Sequence, residues 1–385
     1  MSSVEKRWEP FRGIRRPLKV SVLALESGTH RVAICSLDVL GFASEAVYGW
    51  ERFVSSIARQ SGEVAPGEIL IAATHTHSAP ETLALSGSFE TEAYRQWLAS
   101  LETQLGTCIK HAFSRLRPAE VGMASGRTEG LTLYRRIKTS QGIRLSSTFA
   151  RLERHQLEAR PTDERVRCLV LRDAANHAPV AFVVHGVCHP VYEMCHADVS
   201  PDFPGELRDL VKSRVASVPV LFLNGAAGTI NPWHVSSGAA FAQRHAETMF
   251  RAIEPALAAP RWIPVPTWSL KRSTVSFPCR PVPGDSLPER VPAEISLLTF
   301  PGLGLLFLPG EPFLETALQI EKQSPFAETI VAGFSACSVG YIPTPEAFRE
   351  GGYEVGPGRW SYLASDAESR LRDEVARLFA TVGGA

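Results

Sequence analysis

Apolar positions in this chain fall into short alternating runs that come in pairs, and a stretch with helical spacing follows each pair. Residues 19–42, KVSVLALESGTHRVAICSLDVLGF, read as two β-rich runs joined at Ser-Gly, which predicts a hairpin. A second hairpin is expected over 166–190, turning at Ala-Asn-His, and a third over 294–312, turning on Pro-Gly-Leu-Gly. After each comes an amphipathic helix and then an apolar strand with a polar end: ILIAATHTHSAP, VPVLFLNGAAGTINP and ETIVAGFSACSVGYIPT. The fold class predicted is α/β, with mixed β-sheets and flanking helices built from three hairpin-helix-strand units.

Helices are expected at 44–60, 90–115, 203–215, 238–257, 312–323 and 361–380. The Pro-rich stretch 254–292 reads as a connecting segment, mostly surface loop and edge strand. At 385 residues the chain suits one large domain over 1–385, with a two-lobed body as the alternative.

The three units end their strands in Asp38 and His75/His77, in His189 and Asn231, and in Glu311 and Tyr341. Strand ends are where α/β proteins assemble sites. Alternation puts His75 and His77 on one face, about 6.5 to 7 Å apart. One imidazole then binds a metal while the other faces a substrate, or both bind if the strand end bends. In the second cluster His185 lies inside the strand and reads as a hydrogen-bonded core residue, whereas His189, before Pro190, reads as a ligand. His196 and Asp198 follow without a clear role, and Asp202 precedes a helix, where capping and orientation of a ligand are compatible. Glu311 follows a Pro-Gly turn at a helix start and supplies a carboxylate. Two histidines and a carboxylate leave a position for water, and zinc lowers the pKa of water bound to it toward ~7, which is hydrolytic chemistry.

Composition narrows the field. Forty Lys plus Arg balance forty Asp plus Glu, and no nucleic-acid-binding motif is present, so no nucleic-acid partner is expected. No apolar run approaches the ~20 residues that span a bilayer, and the first twenty residues lack the apolar core of a signal peptide. Seven scattered cysteines without a C-x-x-C pair point to reduced thiols and a cytoplasmic protein. Oligomeric state is left open by the sequence. H-E-x-x-H, G-x-S-x-G, H-x-H-x-D-H and phosphate-loop patterns are all absent.

The segments THTHSAP, HPV, NGAAGTINP, PGE and GYIPTPEAF followed by GGYE occur in an order that resembles the neutral/alkaline non-lysosomal ceramidase family, over residues 19–365. The resemblance implies that family's catalytic-domain fold and one zinc per chain, held by His75, His189, Glu311 and Tyr341. It further implies that His77 stands on the substrate side of the metal, that Arg135 (or its neighbour Arg136) faces the site, and that Tyr353 is a second site tyrosine. Zinc-bound water would attack an N-acyl amide carbonyl, with His77 and Tyr353 among the donors to the oxyanion. Asn231 stands where the family has a serine, so a serine nucleophile is not expected. With no export signal and no room for the family's C-terminal immunoglobulin-like domain, the expected substrate is a small intracellular amide rather than ceramide itself. The alternatives are the same metal site acting on an ester, lactam or peptide-like biosynthetic intermediate, and a non-catalytic binding module. A TIM barrel would need eight βα units, against the three hairpin-bearing units counted.

Overall fold

The structure, a computed structural model, describes residues 10–152, 157, 160–264 and 267–382. Each hairpin forms where the alternation places it. Val20–Ser27 pairs antiparallel with His30–Leu37, Arg165–Asp173 with Pro179–Gly186, and Arg290–Phe300 with Leu303–Pro309. In every unit the second hairpin strand then pairs in parallel with the strand that follows the helix: Ile69–Ala73, Val220–Asn224 and Glu328–Ser335 respectively. The threefold repeat is therefore a repeat of topology, with each crossover helix forced by the parallel pairing.

The first and third units share a seven-stranded sheet, and the second supplies three strands of a five-stranded one. The two sheets pack face to face. Ile34, Leu70, Leu305 and Ile330 of the larger meet Leu169, Val183, Leu221 and Leu223 of the smaller in one buried cluster. Neighbouring positions point the other way. Ala33, Cys35, Ile69 and Ile71 pack under helices α1 (Trp50–Ser61) and α2 (Glu92–Phe113). Phe182, Val184 and Phe222 meet α3 (Asp202–Arg214) and α4 (Ala239–Leu257). Ile295, Leu297 and Leu306 meet α5 (Leu314–Gln323) and α7 (Ala367–Ala380), while the short α6 spans Pro345–Glu350. The result is helices on both sides of two stacked sheets, in which strands buried on both faces carry continuous apolar runs. Each fully buried Leu, Ile or Phe contributes about 1.5–3 kcal/mol.

The Pro-rich stretch supplies an edge strand, as its reading allows, and one further strand lies outside the expected elements. Ser269–Pro278, inside the Pro-rich stretch, is a ten-residue strand at the edge of the larger sheet, paired along its length with Arg290–Phe300. Ala119–Arg127 was not anticipated and lies between Arg165–Asp173 and the short strand Arg261–Trp262.

Asp38 sits at its strand end as expected but serves the scaffold. Its carboxylate takes both guanidinium nitrogens of Arg208 in α3, one at 2.7 Å, and accepts from Thr74 Oγ1 at 3.2 Å. It therefore ties α3 to the first sheet and does not line the central cavity. Asn224, at the end of the second unit's last strand, joins the two sheets: its Nδ2 donates to Thr74 O at 3.1 Å and to Cys188 O at 2.9 Å.

Candidate metal centre

Regular strand ends at Ala73, and His75 adopts φ 69, a left-handed conformation that a non-glycine residue enters only when its surroundings hold it there. What holds it is visible. The His75 ring stacks on Phe334 with centroids 4.0 Å apart, its backbone N–H donates to Val39 O at 3.0 Å, and Nδ1 lies 2.5 Å from Leu40 O. The bend turns two rings that simple alternation would keep about 7 Å apart toward one point. Nε2 of His77 ends 3.3 Å from Nε2 of His75.

His189 arrives from the second unit. Its Nδ1 is 2.7 Å from Ala227 O and 3.2 Å from Ile230 O, both in the NGAAGTINP segment. Glu311 arrives from the third unit after Gly310, whose φ of 63 makes the turn and where a Cβ would sit 2.3 Å from Gly340 O. Gly228 lets the second and third units meet, since a Cβ there would lie 2.7 Å from Glu311 O.

With Nδ1 of both His75 and His189 donating to carbonyls, Nε2 of each presents a lone pair. Both lone pairs converge on Glu311 Oε2, at 3.5 Å from His75 and 3.3 Å from His189. Glu311 Oε2 is buried and has no hydrogen-bond donor among the described residues. Arg135 Nη1 stands 3.1 Å from His189 Nε2, but Glu311 Oε2 faces both imidazole lone pairs with no donor of its own, and a cation between them would satisfy all three atoms. The spacing fits as well: bonds of about 2.0–2.1 Å at a tetrahedral angle separate donors by about 3.3–3.4 Å. The ligand atoms of His75, His77 and His189 lie within 4.8 Å of one another, so this group can hold a metal ion, with His77 half-buried on the cavity side.

Burial keeps the imidazoles neutral. It lowers His75 to about 3, with Glu311 opposing and the His189 side adding to the shift. His189 is lowered well below its ordinary value by burial and then by Arg135. Neutral imidazole is the form that binds metal.

Of the two adjacent arginines, Arg135 lines the cavity. Its Nη1 is 3.1 Å from His189 Nε2, its Nη2 donates to Tyr341 Oη at 2.8 Å, and its Nε donates to Glu354 Oε1 at 2.8 Å. Burial opposes its charge, but Tyr341 and Glu354 more than offset that and raise its pKa. Arg136 instead points away from the cavity, to Glu354 Oε2 at 2.6 Å and Gly351 O at 2.8 Å. Tyr341 is held beside Glu311 by the parallel pair Glu311↔Tyr341, and burial first of all keeps its hydroxyl protonated. Tyr353 lines the same cavity, its ring 5.9 Å from that of Tyr341 and stacked on Trp360.

The structure thus brings His75, His77, His189, Glu311, Tyr341, Arg135, Tyr353 and Asn231 onto one cavity of about 1480 Å³. Asp202 is not among them. Its carboxylate accepts from the backbone N–H of Glu193 at 2.8 Å and of Phe203 at 2.7 Å, so it shapes the 193–203 segment and orients neither histidine. Backbone carbonyls do that work. His185 is a core residue as expected, with Nε2 3.1 Å from Val331 O, and His196 is exposed. Sequence reasoning gave no role to Phe334, Glu354 and Asn224; Asn224 ends an apolar run and Glu354 closes the GGYE segment, but each acts through a partner distant in the chain.

Stacked mixed sheets with a histidine–carboxylate cluster at the strand ends define an α/β fold with a candidate metal site. The particular fold is that of the neutral ceramidase catalytic domain. Neutral ceramidase from Pseudomonas aeruginosa superposes with a TM-score of 0.79 at 14% identity, over 100% of this chain and 71% of that one. A ceramidase complexed with C2 superposes with a TM-score of 0.78 at 12% identity, over 99% of this chain and 72% of that one. No protein-family model matches the chain, and no curated protein matches it by sequence, so the assignment rests on fold.

Proposed function

We propose that this protein is a zinc-dependent hydrolase of an N-acyl amide bond in a small molecule, with one metal per chain. The observation that carries the reading is the convergence of His75 Nε2 and His189 Nε2 on the donor-free Glu311 Oε2, at 3.5 and 3.3 Å. His75, His189, Glu311 and Tyr341 would hold the ion. Zinc bound there supplies Lewis acidity toward a carbonyl oxygen and a lowered pKa for water.

The chain's own residues supply the rest. His77, half-buried on the cavity side, would take the proton that attacking water loses and return it to the leaving nitrogen as the C–N bond breaks. Arg135, fixed by Glu354, holds the Tyr341 hydroxyl in place and puts positive charge beside the ligands. Tyr353 faces the cavity as a donor to the oxygen that gains charge. The likeness in fold to ceramidases supports an amide as the bond cleaved. Ligands drawn from residues 75 to 341 support reading the whole chain as one catalytic unit, and seven free cysteines support a reducing compartment.

The test is metal content by elemental analysis, alongside hydrolysis of a panel of N-acyl amides by metal-free and zinc-loaded protein. About one zinc per chain, with activity that appears on loading and disappears on chelation, is expected. One zinc per chain without hydrolysis of any amide would make the protein a binding module.

A further inference from the structure

Asn231 lies on the cavity wall in the short strand Ile230–Pro232, paired with Leu133 of the strand Thr132–Tyr134. Ile230 before it is fully buried, and its carbonyl is one of the two that receive His189 Nδ1. Alternation turns the Asn231 side chain to the opposite side, toward the cavity. There Nδ2 reaches Ser146 Oγ at 3.4 Å, while Oδ1, on a residue only 5% exposed, has no hydrogen-bond partner among the described residues. Buried side-chain oxygens almost always have partners, and one left unpaired costs stability unless a ligand completes it.

We propose that Asn231 Oδ1 accepts the N–H of the substrate's scissile secondary amide and thereby selects amides over esters. The proposal rests on the hydrolase reading above and sharpens it. An ester of the same shape carries oxygen lone pairs where the amide carries its N–H, so it leaves Asn231 unpaired and faces it with repulsion. Sites built to pair a substrate N–H or O–H reject analogues lacking it far more strongly than apolar pockets discriminate by size.

The test compares octanoyl p-nitroanilide with p-nitrophenyl octanoate as substrates. It adds calorimetric binding of octanohydroxamic acid and its N-methyl form, which lacks the N–H, to zinc-loaded protein. Asn231→Leu, similar in size and without an acceptor, should lower kcat/KM for the anilide by about ten- to a hundredfold and leave the ester undiminished or faster, since the repulsion it met is gone. It should also abolish a preference of about tenfold for the N–H hydroxamate, with zinc content unchanged. Asn231→Asp, which keeps an acceptor oxygen, should retain both preferences. Equal losses on both substrates, or no change in either preference, would overturn the assignment. If the wild type cleaves neither substrate, the hydrolase reading fails, and the hydroxamate pair still decides whether Asn231 reads an N–H.

Discussion

Nε2 of His189 stands 3.3 Å from Oε2 of Glu311, yet neither atom has a proton to give the other, because His189 already directs Nδ1 to Ala227 O at 2.7 Å. Arg135 Nη1 offers His189 Nε2 a donor at 3.1 Å, whereas Glu311 Oε2 has none, and Glu311→Gln tests what that lack costs. A glutamine amide can donate to the imidazole lone pairs, so the metal-free variant should be as stable as the metal-free wild type or more stable by about 1 kcal/mol. Zinc should raise the melting temperature of the wild type and leave that of the variant unmoved. Thermal unfolding with and without zinc checks both signs. A variant that still gains stability from zinc would show that Glu311 is not needed to hold it.

His75 and His77 should separate in their effects. Asparagine tolerates the left-handed backbone of His75, where φ is 69, so His75→Asn should fold and lose its metal. His77→Ala should retain zinc and lose turnover by about 10²–10⁴-fold, the usual worth of a positioned acid–base group. Elemental analysis of both variants decides the role. Equal metal loss would make His77 a ligand, which its 3.3 Å approach to His75 permits.

Acid should destabilise the protein through its buried histidines. Burial lowers His185 and His245 to about 3 from an ordinary 6.5, with Arg167 adding to the shift at His185. The unfolded chain therefore takes up protons in this window while the native one does not. Stability is fully present above pH 6.5 and falls steadily as the pH drops toward about 3. His245→Gln keeps a partner for the Tyr192 hydroxyl, which lies 2.9 Å from His245 Nδ1, and removes one titrating group. Its stability should fall less steeply across the window in denaturant titrations at several pH values. An unchanged slope would contradict the assignment.

Glu354 is fully buried between Arg135 and Arg136, at 2.8 and 2.6 Å. Glu354→Gln leaves two guanidinium groups sharing a neutral partner, and the loss expected on breaking such a buried pair is about 3–5 kcal/mol. Activity should fall as well, because Arg135 no longer has a fixed base from which to hold Tyr341. Urea unfolding measures the first effect, and a loss below about 1 kcal/mol would mean that Arg136's bond to Gly351 O carries the region instead.

The repeat was legible in the sequence because hairpin alternation and turn residues are local, and so were His75, His189 and Glu311, each placed where an apolar run stops. Asp38 occupies the same kind of position and reads the same way; only α3, folded back to bring Arg208 beside it, assigns it to the scaffold. Arg135 and Arg136 could not be told apart, since the difference lies in which side of the 353–355 turn each approaches. Ser269–Pro278 falls in the stretch read as loop and edge strand, but that its Val275 and Phe277 reach the core does not show in so Pro-rich a context. Phe334 gave no signal at all: stacking on a histidine more than 250 positions earlier leaves no trace in local pattern.

The two halves of the larger sheet meet at one register pair, Ser335↔Ala72, with Ala336 N–H bonded to Ile71 O beside it at 2.8 Å. That seam runs between the unit that carries His75 and the unit that carries Glu311. An ion shared by those residues and His189 would tie all three units together beside that short seam, so its worth is mechanical as well as chemical. Chelation should then let the seam breathe, and the amides that exchange faster with heavy water should be those flanking Ala72 and Ser335 rather than those of the hairpins.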